Sequence, residues 1–149
     1  MINEAWLRET VKAHEPWPDL DESVPQLRTL LEERAHGFAS MRDDILSATI
    51  VWPRRGLLPD ESASFLRAVA NGIAEVDHAG FVTMPTVKPK MPPGRYALFS
   101  KSGSGVSLNL EYLIQVGATA ELILDHGWVP HHVEFERGPF DALASALHD

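Results

Sequence analysis

The stretch LNLEYLIQVGATAELILDHGW, residues 108–128, followed by HHVEFERG (131–138) and PFDALA (139–144), decides the fold class. Leu110, Leu113, Ile114, Ala118, Leu122 and Leu124 recur at helical spacing and spread a wide apolar surface, so a long helix is expected here. Gly127 is placed to end it in the left-handed conformation that glycine adopts without a steric penalty. Beyond it, Val133 and Phe135 alternate with His132, Glu134 and Glu136, the period-two pattern of a half-buried strand. A helix followed by a strand, on a chain that begins with helical patterns, predicts an α+β fold. We expect a helical N-terminal half, a small mixed sheet and one long C-terminal helix.

Working backwards, RYALFS (95–100) reads as a short strand, and SKSGSGVS (100–107) as a Gly/Ser loop with Ser107 capping the long helix. KPKMPPG (88–94) reads as a stiff extended connector. FVTMPTV (81–87) and SATIVW (47–52) have strand composition. Between them DESASFLRAVANGIAEV (60–76) forms an amphipathic helix with Phe65, Leu66, Val69 and Ile73 on its apolar side. An earlier helix is expected from Asp21 or Ser23, with Ser23 as N-cap, Pro25 in the first turn, Leu27, Leu30 and Leu31 as its stripe and Gly37 as its C-cap. FASMRDDIL (38–46) suits a further short helix. Residues 3–14 have helix composition, and Pro16 and Pro18 break it.

At 149 residues the chain has the length of one domain, spanning residues 1–149. Within it, residues 1–85 read as a helical region, 86–94 as a linker and 95–149 as an α/β region. The chain contains no cysteine, which excludes disulfides, thiolate metal sites and cysteine nucleophiles. The N-terminus lacks an apolar signal region, and no apolar run approaches the ~18–20 residues of a membrane span. A cytoplasmic protein with no membrane partner is the expectation. The net charge of −8 opposes polyanion binding in bulk. Locally, no acid falls between Asp77 and Glu111, while Lys88, Lys90, Arg95 and Lys101 do. Residues 86–101 are thus either a solvated connector or an anion-binding segment, through Lys88, Lys90 and Lys101, that contacts nucleic acid.

The C-terminal order of helix, Gly–aromatic turn, strand and Asp resembles the opening half of the PD-(D/E)XK nuclease core, the restriction-endonuclease-like fold. The resemblance covers about the last 45 residues. It implies that Glu111 is the helix acid, with Glu121 a weaker candidate, and Asp141 the strand acid. Such carboxylates hold Mg²⁺, which polarises a phosphoryl oxygen and generates hydroxide. The Asp/Glu-x-Lys strand of that family is missing: only Ala142 to Asp149 follow Asp141, without Lys or Glu. The resemblance therefore implies a nuclease-related domain or fragment, catalytically incomplete by itself. Read without it, Glu111 is a first-turn acid favoured by the helix dipole, and Asp141 a turn or cap residue after Gly-Pro.

His126, His131 and His132, near Asp125 and Glu134, form a second candidate, either a metal site or a solvated loop cluster. The SKSGSG stretch with Lys101 is a third, as an anion cradle at a helix N-terminus or as a plain turn. No P-loop, Gly-x-Ser-x-Gly or dinucleotide fingerprint occurs. Trp6, Trp17, Trp52 and Trp128 read as core or interface anchors. The rival functional expectation is an acidic protein-binding module of the immunity-protein, inhibitor or antitoxin type, steered onto a basic partner. Self-association through the apolar C-terminal helix, giving a homodimer, is a further expectation.

Overall fold

The computed structural model describes residues 20–89, 94–103, 105–130 and 134–135. The expected helix at 3–14, Trp6, Trp17, Lys90, His131, His132 and Asp141 lie outside them. The architecture is a mixed α+β fold, as the patterning predicts.

Helix α1 (Leu20–Ser40) buries Ser23, Leu27, Leu31, Ala35 and Phe38, spaced by three or four residues along one face. It starts ahead of Ser23 and runs through Gly37. Ser23 is therefore a buried position on its inner face, not its cap, and Pro25 lies inside the helix. Gly37 is not a C-cap either, and residues 38–40 continue the same helix where a separate one was expected. With 21 residues, α1 is longer than the C-terminal helix.

Strand β1 (Ile50–Val51) follows, then α2 (Pro59–Ala70). Proline at the N-terminus of α2, Asp60 and Glu61 in its first turn and Arg67 in its last agree with the helix dipole. The helix stops at Ala70, short of the expected Val76, because Gly72 turns the backbone to φ 71°. Glu75–Val76 form strand β2 instead. Strand β3 (Phe81–Thr83) pairs antiparallel with β2, and β5 (Arg95–Ala97) pairs antiparallel with β3. Strand β4 (Lys88–Pro89) pairs parallel with β8 (Glu134–Phe135), within two segments read as a connector and a strand.

The Gly/Ser stretch is not a loop leading into a helix. Strand β6 (Phe99–Ser102) and strand β7 (Gly105–Leu108) form a hairpin around it, with Phe99 opposite Leu108 and Ser102 opposite Gly105. Gly103 takes φ 57° at the turn. Ser107 lies in β7, and Asn109 occupies the N-cap position of α3 (Leu110–Leu124). Strand β1 lies parallel to β7 at the end of the order β1-β7-β6.

The two three-stranded sheets meet at Leu98, whose N–H donates to Gly80 (2.9 Å) and whose carbonyl accepts from Asn109 (2.7 Å). Tyr96 and Phe99 are both buried although they stand three positions apart, an odd spacing, so the face alternation slips by one residue at Leu98, as at a β-bulge. The core lies between this sheet and the helices. It joins Leu27, Leu31 and Phe38 from α1, Phe65 from α2, Val82, Leu98, Phe99 and Val106 from the sheet, and Leu113 and Val116 from α3. Burying each large side chain contributes roughly 1.5–3 kcal/mol. Helix α3 buries Leu113, Val116, Ala120, Leu122, Ile123 and Leu124, so these members of its apolar surface face the chain's own core, while Leu110 and Ile114 are half-buried. It ends as expected: Gly127 has φ 70°, and the Trp128 N–H reaches back to the Leu122 carbonyl at 3.0 Å. No helix among the described residues is long and apolar enough to cross a membrane.

The turn between β2 and β3 is tied by Asp77. Its Oδ1 accepts the Ala79 and Phe81 N–H groups at 2.9 Å each, and its Oδ2 accepts from Arg95 at 3.0 Å. Burial pushes its carboxyl up, but the Phe81 N–H, Arg95 and the Ala79 N–H together outweigh that and hold it below its ordinary 3.8. A depressed carboxyl contributes stability that is present above its unfolded value and lost as pH falls through the folded one. Asp77→Asn is therefore expected to flatten the fall in stability below about pH 4, measured by urea unfolding at a series of pH values. An unchanged acid limb would refute the assignment.

Candidate functional site

Of the expected site residues, Glu111, Glu121, His126, Lys88 and Lys101 lie among the described residues. Glu111 sits exposed in the first turn of α3 and accepts a hydrogen bond from Gln115 one turn on, Nε2 to Oε1 3.2 Å. Its expected partner Asp141 is outside the described residues. Glu121, nearly three turns further along α3, accepts from the Ser64 hydroxyl of α2 at 2.8 Å. His126 is exposed just beyond α3, and neighbouring Asp125 is committed elsewhere, as a bidentate partner of Arg67 at 2.9 and 2.6 Å. Among the described residues no group of three or more His, Asp or Glu side chains is placed to hold a metal ion.

The anion-binding expectation fares differently at each residue. Lys88 lies in β4, away from Lys101 in β6 along the chain, and the β6–β7 hairpin separates Lys101 from the start of α3. Lys101 is thus not at a helix N-terminus, which corrects the cradle expected there. Its ammonium stands 3.8 Å from Asp44. Asp44 is held below its ordinary value chiefly by the side-chain hydrogen bond from Arg42. Arg95, the remaining described cation of the positive stretch, pairs with Asp77 and lies 3.8 Å over the Phe81 ring.

The same arrangement recurs across the molecule. Arg34 pairs with Glu33, Arg42 with Asp44, Arg55 with Glu61 and Arg67 with Asp125. Arg28 stacks over Trp52 at 4.5 Å. By contrast Glu22, Glu32, Asp43, Asp60 and Glu75 are exposed and make no ion pair among the described residues. Among the described residues most cations are paired with the chain's own carboxylates, and these unpaired carboxylates face solvent.

Two depressions among the described residues carry polar side chains. One, of about 170 Å³, lies between α2 and α3, lined by Asp60, Glu61, Ser64 and Glu121 over Ile114, Gly117 and Ala118. The helices approach closely there: a Cβ on Gly117 would stand 2.9 Å from the Ser64 Cβ. The other, of about 310 Å³, lies between α1 and the segment that enters and leaves β1, lined by Glu32, His36, Ser47, Ala48, Thr49, Ile50 and Trp52. Sequence reading did not find either one. Their walls come from segments far apart along the chain, and none of these residues forms a spacing motif.

With this geometry established, comparison with known proteins adds no relative: no protein family, curated protein or solved structure matches the chain.

Proposed function

We propose that this chain is an acidic protein-binding module, of the inhibitor, immunity-protein or antitoxin kind, acting in the cytoplasm on a basic protein. The observation that supports it is the disposition of charge. Six of the described cations, Arg34, Arg42, Arg55, Arg67, Arg95 and Lys101, are paired with the chain's own carboxylates. A surface that binds a phosphate backbone needs cations it can offer. This one offers carboxylates, against a net charge of −8. Such a field speeds encounter with basic partners and disfavours acidic ones. The absence of cysteine suits a reducing compartment.

The test is affinity capture from a cell lysate with the tagged chain at low and high salt. A basic protein is expected to be retained at low ionic strength, to be released as salt screens the field, and to bind more slowly to Asp60→Lys. Capture of no basic protein, or capture indifferent to salt and to Asp60→Lys, would refute the reading.

The nuclease-related reading has one observation in its favour. Helix α3, the Gly127 turn and strand β8 follow in the order the resemblance implies. Its expected sign is a Mg²⁺-dependent rise in melting temperature that Glu111→Gln or Asp141→Asn abolishes.

A further inference from the structure

We propose that the groove between α1 and the outer edge of β1 binds an extended, basic segment of the partner protein by strand addition. This rests on the binding-module reading and assigns it a surface. Strand β1 pairs with β7 on one side only among the described residues. The Val106 N–H donates to the Thr49 carbonyl at 3.1 Å. Main-chain groups of successive strand residues point to opposite sides, so Thr49 and Val51 face β7, and the N–H and carbonyl of Ile50 face away from it. An unpaired strand edge is a template for another chain.

The edge opens onto the 310 Å³ depression. Its far wall carries Glu32 and His36 from α1, one helical turn apart and both exposed. Glu32 makes no ion pair among the described residues, while the nearest arginine of α1 on that side, Arg28, is held over the Trp52 ring. An incoming Lys or Arg therefore meets a carboxylate that makes no ion pair among the described residues. Ser47 and Thr49 add hydroxyls along the near wall, joined to each other at 2.9 Å. Leu46 is 83% exposed and Val51 56% exposed at the flanks of the edge, leaving apolar surface for alternate side chains of the added segment. One outward-facing residue supplies few main-chain bonds, so the side-chain contacts in the groove carry the selectivity.

The probe is a fluorescent octapeptide of alternating Val and Lys, titrated by anisotropy and by amide chemical shifts. Shifts are expected at residues 47–52 and 28–36. The Ile50 amide is expected to exchange rapidly in the free protein and slowly in the complex. Glu32→Lys should weaken binding at least tenfold, and Ala48→Trp, which fills the groove, should abolish it with the fold retained by circular dichroism. A Val/Glu peptide that binds equally well would overturn the proposal. So would full binding by Glu32→Lys, since that exposed site does not threaten folding. Protection of the Ile50 amide in the free protein would mean that the chain covers its own edge, and would overturn it too. A basic partner captured undiminished by Ala48→Trp would defeat the groove while leaving the binding-module reading intact.

Discussion

Replacing Gly37 with alanine is expected to destabilise the protein by about 1–2 kcal/mol net, the reverse of what its place in a helix suggests. In an open helix the exchange gains about 1 kcal/mol from propensity. Here α1 passes directly against the turn between β2 and β3. A Cβ on Gly37 would fall inside the contact distance of the His78 carbonyl oxygen, 2.8 Å from the His78 carbonyl carbon and 3.3 Å from the Ala79 Cα. All three are backbone atoms in a turn already tied by Asp77, so they cannot swing aside as the tip of a side chain would. Overpacking of this kind typically costs about 1–3 kcal/mol and occasionally more. It outweighs the propensity gain only because the obstacle is rigid. Urea unfolding of Gly37→Ala beside Gln26→Ala, an exposed position on the same helix, separates the two effects. The surface control should stay within about 0.5 kcal/mol of the parent. A Gly37→Ala protein as stable as the parent would show that α1 does not pack this closely.

Asp125→Ala is expected to cost about 3 kcal/mol, and Arg67→Met distinctly less. The Arg67 side chain is 1% exposed, whereas that of Asp125 is 31% exposed. Removing the carboxylate takes two charge-assisted bonds from a guanidinium that cannot reach bulk water, the situation in which breaking a buried pair costs roughly 3–5 kcal/mol. The lower end applies because one partner is partly solvated. Removing the arginine leaves a carboxylate that water can reach, and methionine refills much of the apolar volume. The asymmetry is the informative quantity: equal losses from the two single variants would mean that packing, not the lost carboxylate–guanidinium bonds, sets the cost. The pair fastens the end of α2 to the end of α3, so both variants should also loosen the 170 Å³ depression between those helices, read as faster amide exchange around Ser64 and Glu121.

The contrast between these two sites and the elements read correctly has a common cause. Where an element is specified by its own periodicity and ends, the residues announced it. The apolar stripe of α2, the left-handed Gly127 after α3 and the strand at Arg95–Ala97 are cases of this kind. Where the same local pattern serves two structures, reading failed. Gly37 looks like a cap because glycine suits a left-handed residue, but it is also the residue that permits close backbone approach. The run SKSGSGVS looks like a loop because glycine and serine punctuate turns. Its outer residues form β6 and β7, held by cross-strand hydrogen bonds that their own composition does not encode. Ala74 to Val76 looked helical because they continue an apolar period, while Gly72 had already turned the backbone away.

The candidate site was the least legible region. Glu111 was placed correctly in the first turn of its helix, where the dipole favours an acid. The engagement of Lys101 with Asp44 and of Arg95 with Asp77 depends on contacts across 57 and 18 residues of chain, and no spacing rule reports them.

By itself the sequence determined the mixed α+β class, the acidic excess, the lack of thiol chemistry and the positions of the principal apolar faces, because these depend on composition and on periods shorter than one element. Only the tertiary structure decided which cations are spent, where glycine is required for contact, and which strand is left at an edge beside a helix. Those properties arise from surfaces that meet after the chain has folded back on itself, and no local run of residues contains both partners.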